Sequence, residues 1–374
     1  MFVGITNTPR DYAWGSQTAI AELLGRAPSG APEAELWLGT HPGSPARLAD
    51  GDGTLADVVD GRLPYLLKVL AAASPLSLQA HPTMEQARAG FDRENAEGIP
   101  LDAPNRNYKD AFHKPELIYA LSDGFRALCG FRPVSETSSS VARLLAADAG
   151  DPAISGFAAR LASDESLAET FGWLLSGGDD IARLVAAVAA AASGLDGEHF
   201  TLVRELSGAY PGDPGIVISL MLNLVNLRAG EVLYLPAGNI HAYVEGLGIE
   251  LMAASDNVLR GGLTPKHVDV PELLSVLDFT PGPAPYLAPV ALGDSVSLYT
   301  PDVTDFALAV VDVAGSSALV PVAGQSILLC TAGEVTVTGS SSVTLARGES
   351  VYASADEGAL TVRGTGTVFV AMPG

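Results

Sequence analysis

The sequence predicts a mainly β protein with a block of helices inserted into it. Three observations carry this. Short alternating runs broken by Gly and Pro fill both ends of the chain, the apolar spacing turns helical over roughly eighty residues near the middle, and the 40 Gly and 25 Pro of the 374 residues call for many turns. A chain this long exceeds what one core usually supports, so several packing units are expected. The expected organisation is a discontinuous β unit over residues 1–130 and 210–275, a helical insertion over 131–209, and a second β unit over 276–374.

In order along the chain, AELWLGTHPGSPARL, LPYLLKVLAAASPLSLQAHP and HKPELIYALSDGFRALCGF read as strands with irregular loops. A short helix is expected from Met84 to Gly90. After Pro133, the segments SETSSSVARLLAADAG, DESLAETFGWLLSG, DDIARLVAAVAAAASG and GEHFTLVRELSGAY show helical spacing with polar starts and Gly stops. Strands return at Gly215, where AGE and PAGN turns separate alternating runs. A polar link, TPKHVDVPELLSVLDFTPGPAP, leads to a tail of short strands from about Val290. RAGEVLYLPAGNIHAYV (228–244) resembles ARGESVYASADEGALTV (346–362), with His241 falling on Ala359, so the tail reads as a second copy of the same β grammar without that polar position.

The net charge of −22 opposes non-specific binding to nucleic acid or an anionic membrane, and an anionic ligand would need a local cationic cluster. The Ala-rich stretch from Ile181 to Ala192 carries Arg183 and is too short to span a bilayer. No signal peptide is visible. Cys129 and Cys330 make neither a disulfide framework nor a CxxC metal site. These features point to a soluble cytoplasmic protein. Only four of the 21 basic residues are Lys, at 68, 109, 114 and 266, so ordinary surface cations are written as Arg and these four mark positions where Arg does not substitute.

In LSLQAHPTM, alternation puts Leu76, Leu78 and Ala80 on one face and Ser77, Gln79 and His81 on the other. Together with Glu116 in HKPELIYA and His241 in PAGNIHAYVEG, Gln79 and His81 form a set of potential metal donors on strands of one β unit. Taken singly, a buried His or Gln usually satisfies a backbone group, and Glu116 reads as a solvated strand end. Taken together, three of the six histidines lie in apolar strand text that would otherwise exclude them. No HExxH, glycine-rich phosphate loop or serine nucleophile elbow competes.

LPYLLKVL, LSLQAHP, NYKDAFHKPELIYAL, LPAGNIHAYVEG and GIELMAASDNVLRGGLTPKHVDVPELL, in collinear order from Tyr12 to Leu274, resemble the type I mannose-6-phosphate isomerases (phosphomannose isomerases) of the cupin superfamily. The resemblance implies two cupin-type jelly-roll units, with helices inserted in the first and metal in that unit alone, the tail being a degenerate cupin-like domain. It implies one zinc held by Gln79, His81, Glu116 and His241, and a catalytic arginine at Arg260. It implies a substrate phosphate near Ser77, Lys68 and Arg260, and a chain that interconverts mannose 6-phosphate and fructose 6-phosphate through an enediol stabilised by the metal. For proton transfer, Lys114, Glu250 and Asp256 are the candidates. The chain departs from the family at Ala111 and Phe112, where many relatives carry Pro-Asn before HKPE, which bears on loop shape. An Fe(II) cupin oxygenase and a non-catalytic sugar-binding cupin are the alternatives. The expected partner is a small sugar phosphate, with no nucleic acid or membrane; the chain is expected to be a monomer, an oligomer staying open.

Overall fold

The computed structural model describes residues 1–59, 61–148 and 150–374. Two antiparallel β assemblies hold the molecule, and one long strand organises each. In the first, His241–Ala253 is the hub. Its first half lies between Gln79–Ala80 and Phe125–Phe131, and its second half between Tyr65–Ala72 and Glu116–Ala120. The change of partners occurs at Gly246, beside a register shift between Tyr243 and Glu245. Gly246 has φ of 136°, and a Cβ there would lie 2.5 Å from the Phe125 ring, so only glycine serves at the bend. Glu35–Leu38 and Leu259–Arg260 close the two edges.

The second assembly runs Val290–Ala291, Val296–Tyr299, Ala307–Val320, Leu360–Met372, Ser326–Thr338, Ser350–Ala353, Phe2–Thr6 and Arg47–Leu48, with Ser342–Ala346 on a side branch. The N-terminal strand thus departs from the expectation that residues 1–130 all serve the first unit. Phe2–Thr6 pairs with Ser350–Ala353, and Ile5 lies in a core built from both assemblies, with Leu36, Tyr65 and Ile249 of the first and Leu329, Tyr352 and Phe369 of the second.

The segment expected to be helical carries helices at Val134–Ala147, Pro152–Arg160, Leu167–Leu175, Asp179–Ala192 and Glu198–Ala209, and where strands are expected to return at Gly215 a short helix, Gly215–Ile218, comes first, the next strand starting at Leu222. Asp179–Ala192 buries Ile181, Leu184, Val185, Val188, Ala191 and Ala192, the 3- and 4-residue spacing of one face. Pro152–Arg160 begins with Pro at N1, after Asp151, whose carboxylate accepts from the Ala153 and Ile154 amides. These helices share a core with Leu78, Ala80, Ile240 and Leu259 of the first β unit. The helix expected to stop at Gly90 continues from Met84 to Ala96. Gly90 is a packing glycine: a Cβ there would meet the Tyr108 ring at 2.3 Å.

The internal echo has a structural counterpart. Val232–Leu235 followed by His241–Ala253 matches Ser350–Ala353 followed by Leu360–Met372, with strands of 4 and 13 residues in both places. No described helix is long and apolar enough to cross a membrane.

Candidate active site

Rows of residues facing one another across the first sheet write the site. Arg260 pairs with Gln79, and Gln79 with His241, so the three share one face. Farther along the hub strand, Glu250 pairs with Lys68, which pairs with Trp37, while Met252 pairs with Glu116. These rows border a cavity of about 900 Å³ whose wall includes Ser77, Gln79, Glu116, Glu250, Asp256 and Arg260. All four lysines of the chain line it.

At its base, donor atoms of His81, Glu116 and His241 lie within 4.8 Å of one another, and each residue is 1% exposed. His81 Nδ1 lies 2.7 Å from the Asn257 carbonyl oxygen and His241 Nδ1 3.0 Å from that of Asn239. A carbonyl only accepts, so each Nδ1 carries a proton, and a neutral ring then presents a bare lone pair at Nε2. Both Nε2 atoms lie 3.3 Å from Glu116 oxygens, yet neither makes a hydrogen bond, and Glu116 Oε2 has no partner either. Burial, and next to it the Lys114 charge, push the His81 pKa down to about 4, which keeps that ring neutral. Buried lone pairs aimed at one another are unfavourable unless a cation sits among them. The set therefore fits a metal ion, and Gln79, paired across the strands with His241, lines the same cavity.

The two buried carboxylates of the cavity behave oppositely. Burial drives Glu116 upward, but Lys114, whose Nζ lies 2.7 Å from Oε1, and His81 overcome it and hold the pKa well below the usual carboxylate range. Glu250 is pushed upward, by burial first and then by Glu116 and Glu35, although Lys68 Nζ donates to its Oε2 at 2.9 Å. Lys68 also lies 3.4 Å from Glu35 Oε1 and 5.1 Å from the Trp37 ring centre. Burial works against its charge, yet these carboxylates raise its pKa. Asp256 lies 3.2 Å from His41 Nε2; burial raises its pKa, but His41, Lys114 and Lys68 bring it below normal.

The outer wall differs. Arg260, Lys109 and Lys266 line it, and among the described residues no carboxylate pairs with any of the three side chains. Burial lowers the pKa of Arg260, and burial together with Arg106 and Arg260 lowers that of Lys109. In a chain of net charge −22, these three cations without a carboxylate partner form a local cationic cluster on the cavity wall, Lys109 Nζ donating to the Leu101 carbonyl at 2.6 Å.

Comparison with known proteins agrees with this geometry. The family model for the phosphomannose isomerase type I catalytic domain matches residues 2–134, and that for the mannose-6-phosphate isomerase cupin domain matches 297–373. The mannose-6-phosphate isomerase of Escherichia coli K12 is 41% identical, with 97% of each chain covered. The chain belongs to the type I phosphomannose isomerases. The human mannose-6-phosphate isomerase is 34% identical over 82% of this chain and 81% of its own. A crystal structure of a zinc-bound mannose 6-phosphate isomerase superposes with a TM-score of 0.90 at 39% identity, covering 100% of this chain and 99% of that one. A mutant phosphomannose isomerase from Salmonella typhimurium gives 0.91 at 38%, with the same coverage.

Within this phosphomannose isomerase fold, every site residue singled out from the sequence lines the cavity except His81 and His241, whose donor atoms gather at Glu116 of its wall. The departure at Ala111 and Phe112 leaves Lys114 and Glu116 at the cavity, with the Arg62 guanidinium 3.6 Å from the Phe112 ring centre. Sequence reading missed Glu35, Trp37, His41 and the part played by Lys109. Glu35 and Trp37 alternate with Leu36 and Leu38, the same signal that exposed Ser77 and Gln79. It also missed Asn257, whose amide bonds the Lys109 amide and the Asp110 and Phe112 carbonyls while its own carbonyl holds His81.

Proposed function

We propose that this cavity interconverts mannose 6-phosphate and fructose 6-phosphate, with one zinc ion held by Gln79, His81, Glu116 and His241. The observation that carries this reading is the convergence of unpartnered, buried acceptor atoms on His81, His241 and Glu116. Zinc there would supply positive charge that lowers the energy of negative charge developing on the sugar oxygens.

Arg260, Lys109 and Lys266 would take the phosphate, with Ser77 beside them, and so orient C1 and C2 toward the inner wall. Lys68, expected at the phosphate, is engaged with Glu250 and Glu35; its support is for fixing Glu250. Two neighbouring carboxylates with pKa values driven apart divide acid–base labour. Glu116 stays ionised as a ligand. Glu250, whose pKa burial raises, would take the proton from C2 and return it to C1, while the O2 proton passes to O1 through the enediol. Lys114 would donate to the carbonyl oxygen, and Asp256, held by His41, would accept from a sugar hydroxyl. Arg260, buried enough to act in a low-dielectric wall, would also stabilise the enediolate charge.

Chelation should abolish formation of fructose 6-phosphate from mannose 6-phosphate, and zinc should restore it; equal rates before and after chelation would contradict the reading. The same assay disposes of a sugar-binding protein without turnover, and elemental analysis disposes of an iron oxygenase, neither of which the family matches favour. We also place the enzyme in the cytoplasm as a monomer. The acidic composition supports a small-molecule partner over nucleic acid or membrane, and a dimer mass in sedimentation would refute the monomer.

A further inference from the structure

The cationic mouth of the cavity sits on a strained turn. Leu78 exchanges backbone hydrogen bonds with Gly261 and Gly262, at 2.8 and 3.0 Å, which extends the pairing of Leu259–Arg260 with Gln79–Ala80. The chain then turns sharply toward Lys266. Gly262 takes φ of 119° and Leu263 takes 53°. Leu263 is the one non-glycine residue with positive φ among the described residues. A Cβ-bearing side chain is disfavoured in that region, so something outside the turn must impose it.

Asp213 does so from another part of the chain. It lies in the loop between the helices Glu198–Ala209 and Gly215–Ile218, at the end of the helical block. Its Oδ1 accepts from the Leu263 amide at 2.8 Å and its Oδ2 from the Thr264 amide at 3.2 Å, across some fifty residues of sequence. The approach is close: a Cβ on Gly262 would stand 3.0 Å from Asp213 Oδ1 and 3.1 Å from the Gly215 Cα. The same loop grips the other side of the mouth, where the Tyr210 hydroxyl donates to the Pro75 carbonyl at 2.6 Å, two residues before Ser77.

We propose that Asp213 is a positioning residue for substrate: its carboxylate fixes the turn that brings Leu263, Thr264 and Lys266 into the cavity wall they share with Arg260, and through it the loop that ends the helical block sets phosphate affinity. This rests on the assignment of the phosphate to the Arg260, Lys109 and Lys266 wall. The rival role is local, since Asp213 Oδ1 also accepts from the Gly215 amide at 2.7 Å and would cap that turn without touching substrate binding.

The test is steady-state kinetics on zinc-loaded Asp213→Ala, Asp213→Asn and Lys266→Met, with inhibition by inorganic phosphate and the zinc content of each protein. For Asp213→Ala the expected result is a KM and a phosphate Ki both raised about tenfold, with kcat within about twofold and zinc unchanged. Asp213→Asn keeps the shape and one acceptor oxygen, so it should fall between the parent and Asp213→Ala, and it carries the test alone if the alanine variant does not fold. Lys266→Met should raise the same two constants. If Lys266→Met raises them while both Asp213 variants leave them unchanged, or lower only thermal stability or kcat, Asp213 is a local cap and the proposal is overturned. If Lys266→Met itself leaves KM and Ki unchanged, the phosphate assignment falls, and the proposal with it.

Discussion

His241–Ala253 and Leu360–Met372 are strands of equal length at the hearts of two β units, yet they enclose opposite interiors. Around the first, Glu35, Lys68, His81, Lys114, Glu116, His241 and Glu250 are all buried. Around the second lie Leu328, Val335, Val337, Val351, Val362 and Val370. The position aligned with His241 is Ala359, and no histidine follows His267. Burying charge is costly unless it is paired or metal-bound, whereas apolar side chains gain by burial. The difference teaches that one unit is built for chemistry and leans on its ion pairs and its ligand, while the other is built for packing.

The sharpest way to break this comparison is to delete one donor. His241→Ala should lower turnover on the order of 10³-fold, about 4 kcal/mol of lost stabilisation, and reduce bound zinc without unfolding the second unit; isomerase assay and elemental analysis check it. Next in size, Lys68→Met leaves Glu35 and Glu250 buried without their cation and should destabilise the protein by about 3 kcal/mol, read from denaturant midpoints.

Asn257→Ala keeps the backbone carbonyl that faces His81 Nδ1 but removes the side-chain bonds to Lys109, Asp110 and Phe112 that tie this backbone to the loop bearing Lys114, and zinc affinity by chelator competition should fall about 10- to 100-fold. The smallest effect belongs to the second unit. Glu357 is buried there, but the Ser340 and Ser341 bonds and the Met1 amine, 2.9 Å away, overcome burial and bring its pKa to about 2. Because the folded value is the lower one, this carboxylate's stabilisation is complete above the ordinary carboxylate range and is lost as pH falls toward 2. Glu357→Gln should flatten that acid dependence in denaturant titrations and lower stability by about 1–2 kcal/mol at neutral pH, with zinc affinity unchanged.

Much of the site was legible because strands obey a two-residue period. Polar residues at Ser77, Gln79 and His81 in apolar text announce a polar interior face, and the scarcity of lysine flags Lys68, Lys109, Lys114 and Lys266, which all line the cavity. What stayed hidden acts over long range or through backbone groups. The pairing of Phe2–Thr6 with Ser350–Ala353 joins the two ends of the chain and leaves no local trace. Asp213 and Asn257 bind amides and carbonyls, which any sequence supplies, so no pattern marks their partners. Gly90 looks like a helix stop until the Tyr108 ring shows why a side chain is missing there.

The chemistry of the first unit depends on His81, Glu116 and His241 facing one ion. Diffraction from zinc-loaded crystals at the zinc absorption edge tests this most directly. The account predicts a single strong anomalous peak within bonding distance of both Nε2 atoms, a Glu116 oxygen and Gln79. A map blank at that point, or a peak held by other residues, would contradict it.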